Sequence, residues 1–454
     1  MSTHAHAATM LRIAEFIVSA TPPADARSRA AAAVLDTVGV ALAGASESVA
    51  RIVRSTLEPE GSGGCVVFGA AGRASAANAA LANGAAAHAL DYDDMCFTSL
   101  AHPSAPLVPG AVACAEMARA SGAALLDAYV VGFEIQARLG STMNPRHYER
   151  GWHCTSTLGT ISAAAAASRL LGLDVRATAR ALGIAASSAC GLKENFGTMV
   201  KPLHAGLAAR NGVCAALLAR GGMDASELAL DGPQGLLRAM DSERPSLESA
   251  ADDLGSRWEI VNGGISVKLY PSCAATHPTL DALLDLRRRH SLDGNAVERV
   301  EIDVDSITPT VLIYPRPASG LEGKFSMPFC AAAALADGRV GIDTFVPAKL
   351  ADWRIDALMA RVEMRVDPAL DGVAAPLTQA RIRVRLTDGR TLTASADGAR
   401  GYPERRATAE ELDAKFLACA ERALPRDRAE QALAAVRGVE QVEDVRALTA
   451  VLAL

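Results

Sequence analysis

Hydrophobic positions in this chain recur at helical spacing for most of its length. After a polar tail holding His4 and His6, residues 8–44 predict two helices, the second from Asp25 to Leu42 with its end at Gly44. Residues 47–60 predict a third, and the Gly-rich GSGGCVVFGAAGR predicts a loop with a short strand at Cys65–Phe68. From Ser75 onward helix follows helix. Gly122, Gly172 and Gly222 stand where C′ caps belong, and Asp174 and Asp224 where the next N-caps belong, a spacing compatible with stacked helical hairpins. The period changes near residue 295. Val300, Ile302 and Val304 alternate with charged residues, as do Val362, Met364 and Val366, and 381–386, Asp388-Gly389 and 391–393 spell a hairpin. Helices at 278–289 and 329–336 interleave with these strands, and from Thr408 the chain returns to helix. The pattern predicts a mainly α protein: a large helical domain over 1–267, completed by 401–454, and a smaller α+β domain over 268–400.

One stretch breaks the local rules. In NGAAAHALDYDDMCFTSLAHPSAPLVPGAVACAE, from Asn83 to Glu116, an alanine-rich helix runs into Asp91, Asp93 and Asp94 and a new helix starts at His102-Pro103-Ser104. Carboxylates gain nothing at a helix C-terminus, where the macrodipole is negative. His-Pro fits a helix start, with proline at the first helical position. Acid without a local reason, followed by a histidine at a helix N-terminus, marks a candidate active site.

Composition narrows the class. At 454 residues two or three domains are expected; half of the residues are hydrophobic and only 4% aromatic, which suits closely packed helices with small contact residues. A net charge of −6 without a basic block argues against nucleic-acid binding. No uninterrupted apolar run of about 18 residues suggests a membrane span, and the N-terminus lacks the form of a signal peptide. Nine scattered cysteines without C-x-x-C predict reduced thiols in a cytoplasmic protein.

Three histidines share a context: His102, His153 and His277 each stand just before a predicted helix. Helix N-termini bind anions and lower a nearby imidazole's pKa, so three such ends would suit a polycarboxylate and leave the imidazoles free to act as bases. The plainer alternative is that each histidine only caps its own helix. His88 and His204 fit packing or supporting positions better. Among six lysines, Lys201 and Lys268 lie in Gly/Pro-punctuated stretches, where an ammonium can hold carboxylates or a developing enediolate; a surface ion pair is the plainer reading. No G-x-G-x-x-G, P-loop, H-x-x-x-H, iron–sulfur spacing or G-x-S-x-G occurs, so no nucleotide, cofactor or metal is expected and no acyl hydrolase.

At these residues the sequence resembles the MmgE/PrpD family. The motifs NGAAAHALDYDD with AHPS, GWHCTSTLG, FGTMVKPLHAGLAARNG, KLYPSCAATH and KFSMPF occur in order across nearly the whole chain. The resemblance implies a helical domain with an inserted α+β lid, a homodimer, and a metal-free active site at the domain interface. It also implies catalytic roles for Asp91, His102, His153, Lys201, Lys268 and His277, with Ser104, Tyr270, Phe329 and Met95 on the substrate side. Met95 stands where the decarboxylases of the family have threonine, and Phe329 where they have tyrosine. The expected function is therefore removal of a proton beside a carboxylate of a small di- or tricarboxylic acid, most nearly 2-methylcitrate dehydration. An iminodisuccinate-type epimerase is the first alternative; cis-aconitate decarboxylation and a catalytically silent carboxylate-binding scaffold come after it.

Overall fold

Alanine and glycine determine how closely the helices of this chain approach one another. The computed structural model describes residues 3–57, 63–244, 246–371 and 378–454. Helix accounts for 60% of it and strand for 9%, so the mainly α class expected from the periodicity holds. The chain forms two compact units: Met1–Ala89 with Asp93–Ile265 and Thr408–Leu454, and Leu90–Tyr92 with Ser266–Ala407.

The first unit opens with α1 (Thr3–Ser19), α2 (Ala24–Gly44) and α3 (Ser48–Leu57). A two-residue antiparallel pair follows, β1 (Cys65–Val66) with β2 (Arg73–Ala74). Then come α4 (Ala76–His88), α5 (Ser104–Ala118), α6 (Gly122–Met143), α7 (Cys154–Leu170), α8 (Val175–Ser188) and α9 (Val200–Arg220). The crossing of α4 and α9 is made by two glycines. A Cβ on Gly84 would lie 2.8 Å from the Gly206 Cα, and one on Gly206 would lie 2.4 Å from the Leu81 carbonyl oxygen. Only bare backbone fits there, and the contact fixes the end of α4 against the start of α9.

The structure corrects several local expectations. α1 begins at Thr3, so His6 is not tail: it is buried, with its Nδ1 3.2 Å from Asp231. Gly172 and Gly222 do adopt the left-handed cap conformation, with φ of 66° and 95°. Gly122 does not. It opens α6 behind the N-cap Ser121, and α5 is ended instead by Arg119 at φ 53°. Gly122 is glycine because a Cβ there would lie 1.6 Å from the Val439 carbonyl oxygen. Asp174 caps α8, its side chain accepting from Ala177 N at 2.7 Å, whereas no helix follows Asp224 directly. The predicted strand at Cys65–Phe68 shrinks to two residues; the predicted end of α3 at 58–60 and the loop residues 61–62 lie outside the described residues.

The second unit is a four-stranded sheet with helices on one face. Its strands are β3 (Val297–Val304), β4 (Val362–Val366), β5 (Ala380–Leu386) and β6 (Thr391–Ala396), in the order β4-β3-β5-β6. β3 runs parallel to β4 and antiparallel to β5, with Ile302 opposite both Met364 and Ile382. The predicted hairpin joins β5 to β6, and Gly389 takes φ 87° in its turn. Alternation sends Val300, Ile302, Ile382 and Val384 into a core shared with α10 (His277–His290) and α11 (Met327–Asp337). Their neighbours Glu301, Asp303, Arg365 and Arg383 form an ionic ladder on the other face.

Two tail helices, α12 (Ala409–Ala420) and α13 (Arg426–Arg437), complete the first unit. Thr408 and Glu411 cap α12 reciprocally, and Lys415 on its inner face reaches the buried Asp36 of α2 at 2.5 Å. Among the described residues no single helix is long and apolar enough to cross a membrane. None of the nine cysteines is in a disulfide.

Candidate active site

The acidic stretch after α4 is held by partners distant in sequence. In the first unit, Asp93 is fully buried, and its Oδ2 lies 2.8 Å from His88 Nδ1 and 3.2 Å from His102 Nδ1. His88 is the last residue of α4; His102 precedes α5, its backbone N–H donating to Thr155 Oγ1 of α7 at 3.0 Å. The two rings meet edge to face with centroids 4.6 Å apart. Burial opposes ionisation of Asp93, yet the two imidazoles hold its pKa well below the usual carboxylate range. Burial pushes His88 down to about 4 against the pull of Asp93, so its ring is neutral at pH 7. Imidazole and carboxylate are common metal donors, and the nitrogen and oxygen atoms of His88, Asp93 and His102 lie within 4.8 Å of one another; here His88 Nδ1 is hydrogen-bonded to Asp93, whereas His102 Nδ1 is at ion-pair distance from it without hydrogen-bond alignment.

Asp94 turns the other way. It accepts from the Ser104 backbone N–H at 3.2 Å and makes a short hydrogen bond with Ser104 Oγ, which lies 2.6 Å from Tyr129 Oη. α5 thus begins at Ser104, one residue later than expected, with Pro103 outside it and the Asp94 side chain on its first N–H. Burial, with Asp36 and Asp93 nearby, pushes the Asp94 carboxyl up to about 8. Ser104, expected on the substrate side, is fully buried and spent on Asp94 and Tyr129.

A second pair of imidazoles lies in the same unit. His153 stands at the N-cap position of α7 but makes no capping bond through its side chain, so it is not simply a cap. Its Nδ1 is 3.0 Å from Nδ1 of His204, its ring meets Phe196 edge-on at 4.9 Å, and it stacks on His88 at 5.7 Å. Two facing nitrogens at that separation share one proton, so the rings are in opposite tautomers. Burial lowers both, His204 to about 4, and the Lys201 charge adds to the effect on each. Lys201 is itself buried in the first turn of α9, its Nζ 5.4 Å from the centre of the Phe196 ring.

The second unit holds the remaining candidates. Asp91 adopts left-handed backbone at φ 51°, and Lys268 Nζ donates to its carbonyl oxygen at 3.0 Å and to Oδ1 at 3.1 Å. Lys324 donates to the carbonyls of Leu90 and, at 3.2 Å, Pro271. His277 is the first residue of α10 and fully buried; its Nε2–H donates to the Ser272 carbonyl at 3.2 Å. Burial and the Lys268 charge push it down to about 3.

The family is decided by comparison with known proteins. The MmgE/PrpD N-terminal domain profile matches residues 11–248, and the MmgE/PrpD C-terminal domain profile matches residues 270–441. This chain belongs to the MmgE/PrpD family. It is 30% identical to the cis-aconitate decarboxylase of Homo sapiens over 385 residues, 82% of this chain and 79% of that protein. It is 31% identical to the cis-aconitate decarboxylase-like protein oryM of Aspergillus oryzae over 459 residues, 95% of this chain and 93% of that protein. With the cis-aconitate decarboxylase of Aspergillus terreus the identity is 27% over 84% of this chain.

Of the ten residues expected in an MmgE/PrpD site, His102, His153 and Lys201 gather in the first unit and Asp91, Lys268 and His277 in the second. Tyr270 packs edge-on to His277 at 5.2 Å, but its hydroxyl is bound to Asp281 at 2.6 Å and to Arg400. Phe329 is 1% exposed in the second unit's core, its ring against Phe345. Met95 is half-buried beside Asp94 in the acidic loop. Sequence reasoning marked Asp93 only as part of the acidic stretch, placed His88 and His204 as packing or supporting residues, and gave Lys324 no role. His204 was within reach, since it lies three residues after Lys201 on one helix face.

Proposed function

We propose that this MmgE/PrpD chain is a lyase that creates a carbanion beside a carboxylate of a small tricarboxylic acid, using its own side chains as acid and base. The observation that carries the reading is the set of buried imidazoles, His88, His153 and His204, held neutral near the cation of Lys201. Neutral imidazoles accept protons at pH 7, and a lysine can hold a substrate carboxylate and the enediolate charge. In dehydration of a 2-methylcitrate-like acid, one imidazole takes the proton and the C–H electron pair stays on carbon. The carbon–oxygen bond then breaks, and the proton taken up by the first imidazole passes through a second ring to the departing hydroxide, giving an unsaturated acid and water. Within the second unit, Lys268, held by Asp91, and His277 are the candidates for carboxylate binding and proton transfer. The homodimer belongs to the same proposal.

The names of the relatives favour a second reading, loss of CO2 from an unsaturated acid of the cis-aconitate type. The electron pair left behind would be protonated by the same groups. Met95 in place of threonine speaks against it. Phe329 speaks less strongly than the sequence suggested, because a hydroxyl there would sit in the core. The test is NMR in deuterated buffer on a panel of di- and tricarboxylic acids. Alkene from a hydroxy acid supports dehydration, and CO2 with a deuterated product supports decarboxylation. Deuterium in recovered substrate alone would point to the epimerase, and no change with any acid would sink the lyase reading.

A further inference from the structure

The triad around Asp93 distinguishes base from acid among the imidazoles, given the acid–base reading above. One carboxylate oxygen faces two ring nitrogens, hydrogen-bonded to His88 Nδ1 at 2.8 Å and 3.2 Å from His102 Nδ1 without hydrogen-bond alignment; beside an anionic oxygen a protonated nitrogen is favoured over a lone pair on both rings. A deprotonated Nδ1 would set a lone pair against a lone pair. We propose that Asp93 is a positioning residue that fixes His88 and His102 in the same tautomer, with Nδ1–H toward the carboxylate and Nε2 as the basic nitrogen.

Three further observations support this. His88 Nε2 is buried without a hydrogen-bond partner among the described residues, as expected of an acceptor with no donor nearby. Asp93 is ionised, so it can stabilise positive charge on a ring bonded to it. Exposure rises from 0% at Asp93 and 1% at His88 to 9% at His102, which makes His102 the member able to meet a substrate. His102 is therefore the base: its Nε2 takes the proton, the C–H electron pair remains on the substrate carbon, and the imidazolium charge faces Asp93. No proton passes to Asp93. His88 holds the carboxylate in place through its own N–H. The His153–His204 pair lacks a carboxylate and faces Lys201, so a proton placed on it is readily given up, which suits the acid.

Histidine-selective 15N NMR on the intact protein tests the arrangement without any substrate. The expected result is protonated Nδ1 and unprotonated Nε2 on both His88 and His102, assigned by loss of each signal in His88→Gln and His102→Gln. An Nε2–H tautomer on either ring overturns the proposal. Asp93→Asn can set its amide oxygen in the place of Oδ2 and accept from both rings, so the tautomers should persist while the negative charge is lost. It should also lower kcat about 10²- to 10⁴-fold with little change in KM. The acid limb of its rate profile should move to lower pH, because the imidazole loses an anion while Lys201 and His153 still face the triad and Asp94 and Asp36 still stand behind position 93. An unchanged rate and pH profile would overturn the positioning role and leave the lyase reading intact. If Asp93→Asn does not fold, His88→Gln takes its place: it keeps the anion and removes a ring that competes for it, so the acid limb should move slightly to higher pH. Should every acid in the panel fail to react, the lyase reading falls, and the tautomers still decide this proposal.

Discussion

The buried carboxyl of Asp94 carries a stability consequence that depends on pH. Its pKa is about 8 in the fold, against 3.8 for an ordinary aspartate. A carboxyl with a raised folded pKa adds stability that is fully present below the unfolded value and is lost as pH rises through the folded one. Between the two values the unfolded chain has released a proton that the folded chain still holds. The loss is about 1.4 kcal/mol per pH unit, on the order of 4 kcal/mol by pH 7. Asp94→Asn keeps the shape of the protonated acid. Its amide oxygen can accept from Ser104 N–H and its NH2 can donate to Ser104 Oγ, but it has no proton to lose.

The variant should therefore gain on the natural protein as pH rises. The difference in stability is expected to grow steadily from about pH 4 to 8 and to level off above that. Asp36, also raised by burial, is present in both proteins, so its own titration largely cancels in the comparison. Urea titrations at pH 5, 6, 7 and 8 would measure it. A brief hydrogen-exchange pulse at one fixed pH, read on peptides from Ser104–Ala118, would follow the first unit separately from the second. A difference that stays flat across this range would show that Asp94 is ionised in the fold, and the account of the Ser104–Tyr129 network would then be wrong.

Other substitutions probe the packing. Lys415→Met leaves buried Asp36 without its cation and should cost about 3–5 kcal/mol, seen as a lower urea midpoint of the first unit; adding Asp36→Leu should recover most of it. Gly206→Ala places a methyl 2.4 Å from a backbone oxygen of α4 and should lower stability by about 1–3 kcal/mol or more, with a clear drop in Tm. Phe329→Tyr puts a hydroxyl into the second unit's core and should cost about 1–3 kcal/mol without changing the reaction product; a switch of product would show that the ring reaches substrate.

Helices and strands were legible where one face alternates with another. The period-2 runs at Val300–Val304 and 381–386 became β3 and β5, and the His277 helix lies where its flanking residues placed it. Glycine was less legible, because it serves two purposes that look alike in sequence. Gly172 ends a helix by its backbone angle, whereas Gly122 exists to let Val439 approach. Only the position of the tail, more than three hundred residues away in sequence, distinguishes them. Asp224 misled for a similar reason: a good capping residue caps only if tertiary packing supplies a helix to follow it.

The acidic cluster shows why part of the site was readable and part was not. Three carboxylates after α4 oppose the local rules, so the sequence could mark Asp91, Asp93 and Asp94 as needing an explanation. It could not say that each has a different one. Asp93 meets two imidazoles, one five residues before it and one nine after. Asp94 takes the first N–H of α5, and Asp91 turns left-handed to meet Lys268, 177 residues on. Backbone direction separates these fates: Asp93 and Asp94 find their partners within the first unit, and Asp91 within the second. The same logic explains the misplaced weight on Ser104, whose motif marks it while its hydroxyl is used up by Asp94. Identity of residue type narrows the chemistry, but which oxygen faces which nitrogen is decided by packing at long range.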